Sequence, residues 1–255
     1  MTQLVGPLSA FEYIQGSLTL AFSVLSIILG SLMIYKYLKY KDKLLLFVGL
    51  SWILLISPWW PDSISFVLML IGGGNKSYAL TDNFYFLIAN AFVAPIFYTW
   101  IVTFSNLVLR DKPKTKNYFV WFCVIYAIIF EVIIILMYIL NYNMMGTRLE
   151  VFYVDWNPII MFYLLSASLL LTITGVIFSA QSLKSPEKII RLKGKFLMIA
   201  FVTFTIGIVF EVLLIVPEID EISLIIARIS EIIATINFYM GFVFPKSIKK
   251  HFLKE

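Results

Sequence analysis

Four ionisable residues, Glu131, Glu211, Arg228 and Glu231, stand inside runs apolar enough to cross a bilayer. A charge in hydrocarbon costs a few kcal/mol on insertion scales, so such a side chain faces a protein interior, a partner or water. Arg228 and Glu231 are three residues apart and share a helix face, which Thr235 continues. Only residues 217–221 separate the runs that hold Glu211 and Arg228, so these runs are expected to be neighbours. The spacing predicts a Glu211–Arg228 ion pair with Glu231 flanking the same guanidinium.

At 1.5 Å of rise per residue, Glu211 lies about 8 Å from the outer end of its run, Arg228 about 9 Å, Glu231 about 13 Å and Glu131 about 15 Å. All four fall in one slab of the outer half, and Asn90, Ser17, Ser166 and Ser168 fall at similar depth. Three acids and one base leave an excess of negative charge that a dry interior cannot hold, so protons, water or a cationic ligand must balance it. Three uses fit: an ion-pair network that only fixes packing, an outward-open pocket for a small ligand, or a proton or cation path. The inner half offers only Tyr98, Asn106, Tyr126, Asn237 and Tyr239 to continue a path, which weighs against the third.

Other chemistry is sparse. One cysteine, Cys123, and one histidine, His251, build neither a disulfide framework nor a Cys/His metal site, so no metal and no cofactor is expected. Nucleophile-elbow, phosphate-loop and zinc-protease signatures are absent from the sequence, and an enzyme is not expected. Gly72-Gly73-Gly74 lacks the following Lys and Ser/Thr of a phosphate loop and reads as a linker.

The elements that must position these charges follow from composition. The 255 residues are 61% hydrophobic and 14% charged, far from a soluble domain. At about 20 residues per crossing the chain has no room for a separate soluble domain. Seven apolar runs, at 11–38, 44–60, 84–109, 118–140, 158–180, 196–216 and 222–244, predict an all-α polytopic protein, a single seven-helix membrane domain over 1–255. The runs are too long and too uniform for barrel strands, and the first lacks the basic start and cleavage site of a signal peptide. The second run extends to residue 71, but Ser57-Pro58-Trp59-Trp60-Pro61-Asp62 interrupts it. Prolines and paired tryptophans favour a span ending near 60, with 62–71 at the interface or folded back; one kinked helix is the alternative. Pro95 predicts a kink in span three.

Seventeen of the 20 bases flank alternate ends of these spans: Lys36, Lys39, Lys41 and Lys43; 110–116; 184–195; and Lys246, Lys249, Lys250 and Lys254. The opposite segments carry Lys76 and Arg148 against eight acids. By the positive-inside rule the N-terminus lies outside and the C-terminus inside, in a multi-pass arrangement suited to the plasma membrane. The basic inner face suits anionic lipid and a cytoplasmic signalling partner, and nucleic acid is a poor explanation for it. A homo-oligomer is compatible with the sequence. Residues 128–135 resemble 208–215, and 30–43 parallel 175–188, a weak hint of a three-plus-one-plus-three repeat.

Seven spans, an external N-terminus and a short basic tail resemble the arrangement of microbial rhodopsins, G-protein-coupled receptors and the seven-helix sensor regions of some histidine kinases. The resemblance covers the chain but is one of topology. Span seven has Arg228 and no lysine, so it lacks the Schiff-base residue that retinal binding implies. Span three ends Asn106-Leu107-Val108-Leu109-Arg110-Asp111, without the Asp-Arg-Tyr of common coupled receptors. What the resemblance implies is a non-enzymatic receptor or sensor; the in-span polar residues themselves add Glu131, Glu211, Arg228, Glu231 and Asn90 around an outer-half pocket for a small ligand or proton. A small solute or ion transporter or channel, and a structural scaffold, are the alternatives.

Overall fold

The computed structural model describes residues 5–212 and 220–244. Most of the 217–221 turn, the bases Lys246, Lys249, Lys250 and Lys254, and His251 lie outside the described residues. Among the described residues, seven helices are long and apolar enough to cross a membrane: Ala10–Tyr40, Lys43–Ile71, Asp82–Val108, Pro113–Met144, Pro158–Leu183, Lys188–Glu211 and Glu221–Phe242. They mark a multi-pass membrane protein. The fourth exposes Trp121, Phe122, Ile125, Ile128, Ile129 and Val132, an apolar face that suits lipid and not water.

The helices are α1 (Ala10–Tyr40), α2 (Lys43–Leu55), α3 (Trp60–Ile71), α4 (Asp82–Asn90), α5 (Val93–Val108), α6 (Pro113–Asn141), α7 (Pro158–Leu183), α8 (Lys188–Val212) and α9 (Asp220–Phe242). Two strands, β1 (Gly146–Glu150) and β2 (Tyr153–Trp156), pair antiparallel. The chain is mostly helical, as the all-α expectation has it, and this short hairpin is an addition to it. Thr147, Tyr153, Val154 and Trp156 are β-branched or aromatic, with strand propensity that a charge-by-charge reading of the loop passes over.

The chain divides into two compact units, Met1–Val102 with Asn117–Ala167, and Thr103–Lys116 with Ser168–Glu255; α5, α6 and α7 contribute to both. In the first unit α1 starts at a capping box: Ser9 Oγ accepts from the Glu12 amide at 3.2 Å, and the Ser9 amide donates to Glu12 Oε2 at 2.7 Å. Lys41, at φ 58°, ends α1, and Asp42 caps α2 through the Leu44 amide. Gly30 and Gly49 then let the two backbones touch: a Cβ on Gly49 would sit 2.7 Å from the Gly30 carbonyl, the close approach that small residues permit in membrane helices.

The second run follows α1 along its length. A 3-10 turn, Ser57–Trp59, joins α2 to α3, and the Ser63 and Ser23 hydroxyls meet at 2.7 Å, while Phe66 lies on Gly16. This differs from a span ending near 60 with 62–71 folded back. Pro58 and Pro61 are the second residues of the 3-10 turn and of α3, within the first turn, where the missing N–H breaks no helical bond, so they redirect the path without reversing it.

The hairpin closes one end of this unit. Its turn residues Val151 and Phe152 are buried with Leu8, Phe66 and Met69, and the amides of Leu8 and Lys76 donate to Gly74 and Gly6 carbonyls. In the second unit α8 and α9 pack antiparallel. Phe201 meets Phe238 edge-on at 4.7 Å, and Leu197 lies on Gly241. The Thr172 hydroxyl meets Thr205 at 2.7 Å.

Candidate functional site

The structure brings Glu211, Arg228 and Glu231 together in the second unit. Arg228 donates from Nη2 to Glu211 Oε1 at 2.7 Å and from Nη1 to Glu211 Oε2 at 3.2 Å, a fork on one carboxylate. Nη1 also donates to Glu231 Oε2 at 2.7 Å. The three-residue spacing on α9 makes the second contact, and the antiparallel α8 supplies the first. Gly207, one turn before Glu211, leaves room for Glu231: a Cβ there would lie 3.0 Å from Glu231 Cγ. The Thr235 hydroxyl donates to the Glu231 carbonyl at 2.9 Å.

Burial grades across the cluster. The side chains of Arg228 and Glu231 are 1% and 0% exposed, whereas Glu211 is 24% exposed. Glu231 Oε1 is buried without a hydrogen-bond partner. One guanidinium between two carboxylates carries one negative charge in excess when both are ionised, and only Glu211 meets the surroundings. The arrangement can therefore accept one further positive charge, delivered at Glu211.

Glu131 and Asn90 belong to the first unit. Asn90 ends α4, fully buried; its Nδ2 donates to the Phe86 carbonyl at 3.0 Å and its Oδ1 has no partner. Glu131 is half-buried on α6, with Oε2 shielded and unpartnered, and the Ala94 backbone amide lies beside its carboxylate. Ser166 bonds the Tyr126 hydroxyl at 2.5 Å, Ser168 accepts through its carbonyl from Thr172, and Ser17 is exposed.

A second polar cluster escapes the sequence reading, which only counts Arg148 among the few bases of the outer segments. Arg148 on β1 is 3% exposed, with its guanidinium 4.4 Å from the Tyr85 ring centroid. It donates to the Val151 carbonyl from Nε and Nη2, at 3.1 and 2.6 Å, and to the Leu80 carbonyl at 2.7 Å. Asp82 lies 3.6 Å away, and the Tyr85 hydroxyl donates to the buried Asp62 at 2.5 Å. Arginine's planar fork suits this use: it stacks on an aromatic face while its edge serves carbonyls. The signal available in the sequence is Arg148 between strand-forming residues on a side otherwise poor in bases.

Comparison with protein-family models, with curated proteins and with solved structures finds no match to this chain.

Proposed function

We propose that the chain is a non-enzymatic seven-helix receptor or sensor of the plasma membrane, N-terminus outside and C-terminus inside. Its second unit responds to a small cationic ligand or a proton at the Glu211–Arg228–Glu231 cluster. The observation that carries this reading is the graded burial of two carboxylates around one guanidinium. A cation at the part-exposed Glu211 competes with Arg228 for that carboxylate, and the guanidinium retains Glu231, three residues away on its own helix. The α8–α9 contact thus has two electrostatic arrangements, and a ligand that prefers one shifts their populations. Lys188, Arg191, Lys193 and Lys195 begin α8 at its opposite end, where the positive-inside rule puts the cytoplasm, anionic lipid and a signalling partner.

Hydrogen exchange of the full chain in nanodiscs tests this, with tetramethylammonium and acidification as separate probes. Exchange in α8 and α9 should change with one probe, and the change should be lost in Glu211→Gln. An unaltered response in Glu211→Gln, or net charge movement by the protein alone in liposomes, would overturn the reading in favour of packing or transport respectively.

A further inference from the structure

The first unit contains a broken helix whose unused oxygens the proposed sensor leaves without a role. In α4 the last bond of the helical ladder is Ala91 N–H to Leu87 O at 2.9 Å, and the ladder resumes with Ile96 N–H to Phe92 O at 3.4 Å. Pro95 has no N–H, so the Ala91 carbonyl has no helical donor. The break is flanked by buried oxygens. Asn90 and Tyr163 are both 0% exposed, and Asn90 Oδ1, Tyr163 Oη and Glu131 Oε2 have no hydrogen-bond partner.

Glu131 and Tyr163 are tied to the break by separate contacts. The Ala94 amide, in the first turn of α5, lies beside the Glu131 carboxylate, and the Tyr163 hydroxyl is within electrostatic range of that carboxylate. The Tyr163 ring stacks parallel to two others, Phe130 at 4.6 Å and Phe97 at 5.6 Å. Phe130 adjoins Glu131 in α6, and Phe97 lies on α5 one turn past the break. Asn90 is the residue at which α4 stops.

We propose that this break is a binding site for one dehydrated alkali cation of about the size of Na+, with Glu131 Oε2, Asn90 Oδ1, Tyr163 Oη and the Ala91 carbonyl as its available oxygens. Hard oxygen donors of this kind suit alkali and alkaline-earth ions, and interrupted membrane helices expose carbonyls that coordinate Na+. Charge selects between the two classes of ion: one carboxylate balances a single positive charge, and a divalent ion would leave an excess in hydrocarbon. A proton on Glu131 would serve only one of the four oxygens, whereas a dehydrated metal ion uses all of them. The site uses residues of the first unit alone and stands independently of the sensor reading.

The test is a titration of the full chain in zwitterionic nanodiscs, with NaCl replacing N-methylglucamine chloride at constant ionic strength and pH. Unfolding is followed by tryptophan fluorescence, since Trp60 lies 5.1 Å from Phe92 at the break. A saturable Na+-dependent rise in the midpoint is expected, absent in Glu131→Gln. Tyr163→Phe keeps the ring stack and removes one oxygen. Pro95→Ala supplies an N–H that reclaims the Ala91 carbonyl. Each should weaken apparent Na+ affinity by about tenfold, the scale of one lost contact to a charged group. A midpoint that does not distinguish Na+ from N-methylglucamine overturns the proposal, as does a Na+ response unchanged in Glu131→Gln or one that follows pH alone.

Discussion

Arg228→Met removes the positive charge of the second-unit cluster while keeping much of its side-chain volume. Three hydrogen bonds to carboxylates are lost, at 2.7, 2.7 and 3.2 Å. Glu231, 0% exposed, then has no counter-charge, and the neighbouring Glu211 carboxylate adds repulsion. Breaking a buried pair on one side costs about 3–5 kcal/mol, because the remaining charge keeps its desolvation penalty. Replacing the whole cluster with apolar residues removes both the penalty and the attraction, so Arg228→Met combined with Glu211→Met and Glu231→Met should recover to within about 1 kcal/mol of the natural chain. Reversible unfolding in mixed micelles, titrated with dodecyl sulfate and followed by circular dichroism, measures both. The reasoning fails if the single variant loses less than about 1 kcal/mol. It fails equally if the triple variant is no more stable than the single, since the cost would then lie in packing and not in charge.

Arg148→Ala should release the hairpin, because that guanidinium holds the Val151 and Leu80 carbonyls and covers Tyr85. Amide exchange across 146–156 is expected to accelerate by about tenfold or more, with α8 and α9 unchanged. Gly49→Val puts a Cβ against the Gly30 carbonyl, and the strain should cost about 1–3 kcal/mol or separate α1 from α2; unfolding in the same micelles reads the loss. For orientation, a cysteine at the exposed Ser77 in a Cys123→Ser background should react with impermeant maleimide on intact cells, whereas one at Glu187 should react only after lysis; the reverse pattern inverts the topology.

Hydrocarbon makes some features legible and hides others. Long apolar runs between charged ends give away the spans, and a charge inside such a run demands a partner that helix spacing can name, which is why the Arg228 contacts were readable. Proline was harder. Pro95 predicts a kink, yet the break lies at residues 91–92, because the bond that proline cannot make belongs to the carbonyl four residues earlier. Pro58 and Pro61 read as a stop because sequence alone does not show that they sit at helix starts. The hairpin was hidden for a different reason: Val151 and Phe152 are apolar turn residues, and a turn without Asn or Gly carries no local signature. Arg148 was hidden with it, since only tertiary contact tells a buried arginine from a surface one.

That hairpin also constrains the order in which the first unit can be completed. Leu8, Phe66 and Met69 are made early, and Val151 and Phe152, which share their cluster, follow only after four candidate spans have been synthesised. Until then the end of the α1–α3 pair keeps an uncovered apolar surface. A nascent chain halted before residue 146 would hold its first helices together through Gly30 and Gly49 while still lacking the plug that finishes them. The hairpin is thus a late fastening, and the time between the first helices and its arrival is when this unit is most open to wrong partners.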